Sequence, residues 1–168
     1  MRAWRIYPHA AAYARAPGFD PLDGAGGREV ANRWNDVGHP VIYGSATASL
    51  AALEVLAGLD RPSAFGERTV LEIELDDEAE EVSLEMTLRL REDASGLDPE
   101  EHTRAFGTAW LKEKRSLALV VPSFVMPLER NVLINPLHPR AASLKIVRSD
   151  RIRLDQRIAR HGRSDGNP

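Results

Sequence analysis

Alternating apolar and polar positions mark three strands in the first part of the chain. Residues 69–75 alternate between an apolar set and a more polar set, and residues 82–90 place an apolar side chain at every second position. Residues 3–7 alternate in the same way and end at Pro8. A period of two is that of a β-strand with one wet face, so these segments predict strands of an antiparallel sheet. The acidic residues 76–81 predict a solvated turn between the strands at 69–75 and 82–90.

Apolar runs predict three more strands in the second half of the chain. Residues 116–121 are almost wholly apolar, which is typical of a central strand that is buried on both faces. Residues 131–136 and 143–147 predict shorter strands. Strands of this kind between helices predict an α+β fold, in which twisted and mostly antiparallel sheets are flanked by helices.

Two longer segments predict helices. Residues 46–58 are rich in alanine and leucine, and Ser45 and Gly58 are a suitable N-cap and helix end. Residues 98–114 open with an aspartate, a proline and two glutamates, which suit the first turn of a helix. This helix is expected to bury Phe106, Trp110 and Leu111. A short alanine-rich helix is also predicted over residues 9–15.

Length and composition predict one domain. A chain of 168 residues is long enough for a hydrophobic core, and no internal repeat or linker divides it. We therefore expect a single domain over residues 1–160, followed by a polar tail over residues 161–168.

Composition also excludes several classes of protein. There is no cysteine, and the net charge of −3 with scattered basic residues argues against nucleic-acid binding. No apolar run approaches the roughly 18 residues of a membrane span, and no signal-peptide core is present. The five histidines lack the paired spacing of metal ligands. We expect a cytoplasmic protein with a metal-free site.

Glu54 is the only charged residue on the predicted helix over residues 46–58. A carboxylate on so apolar a helix either faces a cavity or costs several kcal/mol of desolvation. The alternative is that Glu54 lies on the solvated stripe of an amphipathic helix. The periodicity of the helix leaves both interpretations open.

The loop before this helix has the composition of a ligand-binding segment. Three glycines at positions 24, 26 and 27 free the backbone for close approach to a ligand, and Arg28 and Arg33 follow them. Trp34 and Asn35 supply a flat apolar face and an amide, which suit a phosphate-bearing aromatic ligand. The alternative is a surface loop with a tucked tryptophan. The glycine pattern matches neither a dinucleotide-binding fingerprint nor a P-loop.

These segments resemble one protein family. The resemblance lies in Arg-Trp-Asn at 33–35, Gly-His-Pro-Val-Ile-Tyr-Gly-Ser at 38–45 and Ala-Ala-Leu-Glu-Val-Leu at 51–56. It continues in Ser-Leu-Ala-Leu-Val-Val-Pro-Ser at 116–123 and Asn-Val-Leu-Ile-Asn-Pro-Leu-His-Pro at 131–139. In order and spacing these motifs are similar to those of the RES-domain family. The resemblance implies an ADP-ribosyltransferase-like core and an enzyme that consumes NAD or transfers its ADP-ribose.

The resemblance also implies roles for individual side chains. Glu54 would stabilise positive charge on the ribose, Arg33 would bind the pyrophosphate or the adjacent ribose, and Tyr43 would stack on nicotinamide or bond a ribose. The remaining cofactor contacts implied are those of Arg5, Trp34 and Asn35. The serine of the family is either Ser123 or, as the fallback at the start of the preceding helix, Thr103.

Family members are typically toxins of bacterial toxin–antitoxin pairs. The resemblance therefore implies a toxin that moves ADP-ribose from NAD to water or phosphate. Two alternatives are mono-ADP-ribosylation of a cellular protein and a non-catalytic module that binds a nucleotide or a partner. The implied partner is a helical antitoxin protein, which in this family can also bind DNA. The sequence leaves open whether the chain forms a homodimer.

Overall fold

The computed structural model describes residues 1–76, 79–92, 98–155 and 157–158. The described strands are β1 (Arg2–Pro8), β2 (Ile42–Ser45), β3 (Arg68–Glu74), β4 (Ala79–Glu81), β5 (Ala118–Pro122), β6 (Arg130–Ile134) and β7 (Lys145–Ile152). They form one seven-stranded sheet in the order β4-β5-β6-β2-β1-β3-β7. Only the pair β4–β5 is parallel among these neighbours. The predicted α+β fold with a mostly antiparallel sheet is confirmed.

Four helices flank the sheet in the described part of the chain. They are α1 (Ala25–Glu29), α2 (Ala48–Ala57), α3 (Leu84–Glu92) and α4 (Glu101–Glu113), and short 3₁₀ turns cover Tyr13–Arg15, Pro62–Phe65 and Ala141–Ser143. Within the described ranges, none of the helices has the length and apolar character needed to cross a membrane.

The predicted strand over residues 82–90 is wrong. Only Val82 extends the sheet, since its N–H bonds the Val120 carbonyl at 2.9 Å, and α3 begins two residues later. Ser83 caps this helix because its hydroxyl accepts the Met86 N–H at 3.1 Å. The alternating residues Leu84 and Leu88 are exposed rather than buried. The alternation of apolar residues in the sequence therefore does not correspond to a buried face in the folded chain.

The predicted turn over residues 76–81 is also wrong over residues 79–81. Residues 77–78 lie outside the described part of the chain, and Ala79–Glu81 form the edge strand β4. Glu80 remains solvated there and pairs with Arg115 at 3.1 Å, so an acidic residue fits an edge strand. Strand β5, predicted as central, is buried but lies second from the end of the sheet.

Several predicted boundaries shift. Helix α2 is capped by Thr47, whose hydroxyl accepts the Leu50 N–H at 3.1 Å, and Ser45 instead ends strand β2. The helix predicted over residues 9–15 shortens to the 3₁₀ turn at Tyr13–Arg15. The strand predicted over residues 143–147 runs from Lys145 to Ile152. The predicted tail, residues 161–168, lies outside the described residues.

The sheet separates two hydrophobic clusters. One cluster contains Ala3, Ile42, Leu71, Ile73, Leu75, Leu117, Ala118, Val132 and Ile134. The other contains Trp34, Val41, Val82, Trp110, Leu111, Leu119, Val121 and Leu133, with Tyr43, Phe106 and Phe124 packed against it. Neighbouring residues of β6 belong to opposite clusters, as the alternation of a strand requires. The second cluster joins α4 to the sheet.

Residues 30–41 connect α1 to β2, and we call them the Arg33 loop. It lies so close to α4 that a Cβ on Gly107 would stand 2.0 Å from the Trp34 carbonyl oxygen. The fully buried amide of Asn35 fastens the loop from within, since its NH₂ group donates to the carbonyls of Gly27 at 2.8 Å and Asp36 at 3.1 Å. The loop is thus fixed to α4 and to α1.

The glycines before the Arg33 loop serve packing. A Cβ on Gly24, which has φ +69°, would lie 2.7 Å from the Val41 backbone nitrogen. A Cβ on Gly27 would lie 2.4 Å from the Val41 side chain. These two residues let α1 approach the start of β2. The predicted close approach to a ligand stays a prediction.

We predict that Gly107→Ala lowers the free energy of unfolding by about 1–3 kcal/mol, because α4 and the Arg33 loop must separate to admit a methyl group. The matched control is Gly26→Ala, whose new Cβ meets nothing within 4 Å and lies in helix α1. Urea denaturation of both variants measures the difference. Equal stabilities for the two variants would contradict the tight contact.

We also predict that Asn35→Ala costs about 2–4 kcal/mol of stability, because it leaves the backbone carbonyls of Gly27 and Asp36 and the Tyr43 hydroxyl without their partner. Asn32→Ala is the control, since Asn32 is an exposed asparagine of the same loop. Thermal and urea unfolding check the prediction, and a loss for Asn32→Ala as large as that for Asn35→Ala would contradict it.

Candidate active site

Two cavities meet at the C-terminal half of helix α2. The first has a volume of about 300 Å³ and is bordered by β1 residues, including Arg5 and Tyr7, and by Tyr13. The second has a volume of about 460 Å³ and is bordered by the Arg33 loop, Glu100 and Phe124. Both are bordered by Tyr43, Glu54 and Asn131. These volumes are in the range of small-molecule sites, and the shared residues form the junction between them.

Glu54 lies at this junction and is held through one oxygen. Its Oε1 accepts the Ser123 hydroxyl at 2.7 Å and the Asn131 side-chain N–H at 2.5 Å. Within the described residues no hydrogen bond reaches its Oε2. Of the two interpretations that the sequence left open, the structure has Glu54 facing a cavity. The arrangement fixes a carboxylate and leaves one of its oxygens for a ligand.

Ser123 follows directly after β5 and is buried. Its oxygen accepts the backbone N–H groups of Val125 at 3.1 Å and Met126 at 2.9 Å. Because the acceptor positions are filled, the hydroxyl proton is directed to Glu54. Ser123 therefore stabilises the turn after β5 and also donates a hydrogen bond to Glu54.

Thr103, the fallback for the family serine, does not border either cavity. It is fully buried in α4, and its hydroxyl lies 2.9 Å from the carbonyl oxygens of Arg33 and Glu100. The structure thus brings Ser123, and not Thr103, to Glu54. Thr103 instead helps to attach the Arg33 loop to α4.

Arg33 borders the second cavity and is anchored on two sides. Its Nε donates to Glu100 Oε1 at 2.6 Å, and its guanidinium carbon lies 4.4 Å from the centroid of the Phe124 ring. No bond from either of its terminal NH₂ groups is found among the described residues. These two groups form the fork that binds phosphate or carboxylate oxygens in a bidentate manner.

Tyr43 presents its ring rather than its hydroxyl to the cavities. The hydroxyl donates to Asn35 Oδ1 at 2.8 Å and accepts the Trp34 N–H at 3.3 Å. Burial raises the pKa of Tyr43 well above its ordinary value, so the phenol is neutral at physiological pH. A committed hydroxyl and a bordering ring favour stacking on a flat ligand over a hydrogen bond to a ribose.

Trp34 and Asn35, the other two residues of the Arg33 loop predicted to contact the cofactor, differ in their position relative to the cavities. Trp34 is buried, borders the second cavity and packs edge-on against Phe106 with 6.4 Å between ring centroids. Asn35 is fully buried and borders neither cavity, so it acts on the site through its bond to Tyr43. The direct ligand contact that the sequence predicted for Asn35 is not part of this geometry.

Arg5 is a charged residue of strand β1 that borders the first cavity. Its Nη1 donates to the Tyr43 carbonyl at 3.3 Å, whereas its Nε is buried and has no partner among the described residues. Burial lowers the pKa of the Arg5 guanidinium, and the nearby Tyr13 and Asp23 partly offset this effect. A buried donor without a partner is costly, so Arg5 Nε is an unsatisfied hydrogen-bonding group in a residue that borders the first cavity.

Three residues of the site are not among those predicted from the sequence: Asn131, Glu100 and Phe124. Asn131 is the first polar residue of a motif used for the resemblance, and a polar residue at the start of a buried strand was an available signal. Glu100 was read as part of a helix start, and nothing local marks it or Phe124 as a partner of Arg33. Glu100 and Phe124 follow Arg33 by 67 and 91 positions along the chain, which is far beyond the reach of a local sequence pattern.

A metal site would need several acidic or histidine side chains close together. In the part of the chain that the structure describes, no three His, Asp or Glu residues converge as ligands. The metal-free site stays a prediction.

Sequence comparison identifies relatives of similar length. A family model described as the RES domain matches residues 2–155. A protein described as the Prs ADP-ribosylating toxin, from Sphingobium sp., is 34% identical over 163 residues, covering 94% of this chain and 96% of the relative. A protein described as Toxin Res, from Pseudomonas putida, is 37% identical over 152 residues, covering 89% of this chain and 94% of the relative.

Structure comparison gives the same fold at lower sequence identity. A chain from the crystal structure of the M. tuberculosis MbcT–MbcA toxin–antitoxin complex superimposes with a TM-score of 0.65 at 17% identity. The match covers 90% of this chain and 83% of that chain. The family model over residues 2–155 and the two relatives above 30% identity, both described as toxins, give the assignment: the chain belongs to the RES domain family.

Proposed function

We propose that this chain cleaves the bond between nicotinamide and ribose in NAD and transfers the ADP-ribose to water or phosphate. The observation that carries the proposal is the Glu54 carboxylate, which is held by Ser123 and Asn131 at the junction of two cavities and keeps one oxygen free. A fixed carboxylate beside an elongated site suits a reaction in which positive charge develops on a sugar.

In the proposed reaction the ribose C1–nitrogen bond breaks first. Its electron pair leaves with nicotinamide, which becomes neutral, and the ribose acquires oxocarbenium character. Glu54 stabilises this positive charge and holds a ribose hydroxyl. An oxygen of water or phosphate then bonds to C1, and its proton passes to solvent. The result is free nicotinamide together with ADP-ribose or its phosphate ester.

The two arginines give the proposed NAD site its polarity. Arg33 contributes the free fork of its guanidinium in the second cavity, and Arg5 contributes a guanidinium that borders the first. Each suits the pyrophosphate or an adjacent ribose hydroxyl. The ring of Tyr43 lies between them at the junction and suits nicotinamide, which is flat and leaves as a neutral molecule.

A second candidate, mono-ADP-ribosylation of a protein, is favoured by one observation. The Sphingobium relative, which aligns over 94% of this chain, is described as an ADP-ribosylating toxin. The reaction differs only in the acceptor that attacks C1. Incubating the purified chain with labelled NAD, with and without cell extract, separates the two. Turnover without extract supports water or phosphate, and labelled protein that forms only with extract supports a protein acceptor.

We further propose that a separate antitoxin protein controls the enzyme. The structural neighbour comes from a toxin–antitoxin complex, and Arg33 and Glu54 border cavities that a bound protein could cover. A segment inserted beside Arg33 and Glu54, or one covering residues 18–27, would prevent NAD from entering.

We predict that Glu54→Gln abolishes NAD consumption while the fold is retained, because volume and the two hydrogen bonds at Oε1 are preserved and only the charge is lost. Glu129→Gln is the matched control, since Glu129 bonds the Thr47 hydroxyl nearby but borders neither cavity. Nicotinamide release by chromatography and growth after expression in a bacterial host are measured. Parental turnover by Glu54→Gln would refute the catalytic role.

We predict that Arg33→Ala weakens NAD binding by roughly 1.5–3 kcal/mol, which is about 10- to 150-fold in Kd. Arg28→Ala should have a clearly smaller effect, because Arg28 is exposed and borders neither cavity. Calorimetric titration is done in the Glu54→Gln background so that NAD is not consumed. Equal losses for the two variants would mean that the wrong arginine has been chosen.

We predict that co-expression with the product of the adjacent gene yields a complex in which NAD turnover is suppressed. Amide exchange should slow in residues 18–27, while the exposed strand β7 provides an internal reference. A product that neither binds nor protects these residues would exclude this partner and favour a free-standing metabolic enzyme.

A further inference from the structure

Ser45 has no role in the reaction as proposed so far, yet it is almost fully buried at the junction. It is only 3% exposed and borders the first cavity. Helix α2 does not need it as a cap, because Thr47 has that role. In the sheet it lies directly opposite Asn131, where β2 pairs with β6.

A chain of two hydrogen bonds runs from Ser45 through Asn131 to Glu54. The Ser45 hydroxyl donates to Asn131 Oδ1 at 2.8 Å, and Asn131 Nδ2 donates to Glu54 Oε1 at 2.5 Å. The same Glu54 oxygen accepts the Ser123 hydroxyl at 2.7 Å. Ser45 is therefore one residue removed from the carboxylate proposed to be catalytic.

The two donors to Glu54 differ in how they are held. Ser123 is fixed by its own backbone contacts, since two N–H groups occupy its oxygen. Asn131 carries an amide that can present either its NH₂ group or its oxygen to Glu54. An ionised carboxylate is only an acceptor, so the oxygen of Asn131 must point away from Glu54 and towards β2.

In that orientation Asn131 Oδ1 needs a donor, and the Ser45 hydroxyl supplies it. Without this hydroxyl the amide oxygen loses its partner at a half-buried position, which costs free energy unless the side chain turns. A turned amide would release Oε1 of Glu54 or oppose it with a second acceptor. The cross-strand hydroxyl thus selects the amide orientation that the carboxylate requires.

We propose that Ser45 is a positioning residue that holds the Asn131 amide towards Glu54. This inference rests on the proposed function of Glu54 for its effect on turnover, although the geometry it concerns exists in the free protein. The catalytic contact is that of Glu54, and Ser45 acts on it through Asn131.

The first measurement is independent of NAD chemistry. The side-chain NH₂ signals of Asn131 are assigned by NMR from their loss in Asn131→Asp. Hydrogen exchange of this NH₂ group should be slow in the parent, about tenfold or more faster in Ser45→Ala, and slow again in Ser45→Thr, which restores the hydroxyl. Ser116→Ala is the control, because it removes another buried hydroxyl, bonded to Trp110 and remote from both cavities.

The second measurement is steady-state turnover of NAD. Ser45→Ala should lower kcat about tenfold while KM stays within about twofold, and Ser45→Thr should recover most of kcat. Ser116→Ala should leave both constants at the parental values. Where Ser45→Ala fails to fold, Ser45→Cys replaces it, since a thiol is a weaker donor of similar size and should give intermediate values.

The two measurements separate the possible failures. Unchanged NH₂ exchange in Ser45→Ala overturns the inference, whatever the enzyme does with NAD. Faster exchange with unchanged kcat in an active enzyme also overturns it. A parent that does not consume NAD disproves the proposed function, and the exchange data then decide the positioning role alone.

Discussion

The site depends on how one carboxylate is accommodated on an apolar helix. Glu54 belongs to a helix with no other charge, so its carboxylate needs partners from elsewhere in the fold. They come from the end of β5 and the start of β6, 69 and 77 residues later in the chain. Helix α2 packs against β1 and β2, and from there Glu54 reaches the end of β5 and the start of β6. This placement opens one cavity towards β1 and another towards the Arg33 loop.

The second requirement is that the Arg33 loop hold its residues in place. Most of the loop has no regular secondary structure, so other contacts must fix it. Its stiffness comes from contact with α4 at Gly107 and from the buried amide of Asn35. The same contacts place Glu100 beside Arg33 and fix the hydroxyl of Tyr43. The Asn35 amide and the Tyr43 hydroxyl are therefore bonded within the protein. The terminal NH₂ groups of Arg33 and the ring of Tyr43 are left to contact a ligand.

Comparison with the M. tuberculosis toxin separates what the fold preserves from what the sequence preserves. A TM-score of 0.65 at 17% identity means that the two chains share a fold while most of their residues differ. Fold similarity at this level does not determine the reaction, because function resides in particular residues of a site. In this chain the informative features are therefore the partners of Glu54 and the two arginines of the cavities, together with relatives above 30% identity.

The sequence by itself determined the fold class, most strands and the family. Strands β1 and β3 and helices α2 and α4 follow from local periodicity and end signals, and Glu54 is conspicuous as a lone charge. The resemblance motifs lead to Arg33, Tyr43 and Ser123, and the structure brings all three to cavities that Glu54 borders or to Glu54 itself.

Only the tertiary structure decided which partners these residues have. Residues 82–90 have the alternation of a strand, but the Ser83 cap and the position beside α4 favour a helix. Gly24 and Gly27 look like ligand-binding glycines, and their true neighbour is Val41. Asn131 and Ser45 acquire their contacts because β2 and β6 pair in one register, which no local pattern encodes. Periodicity reports the neighbours of a residue along the chain, whereas a site is formed by neighbours across it.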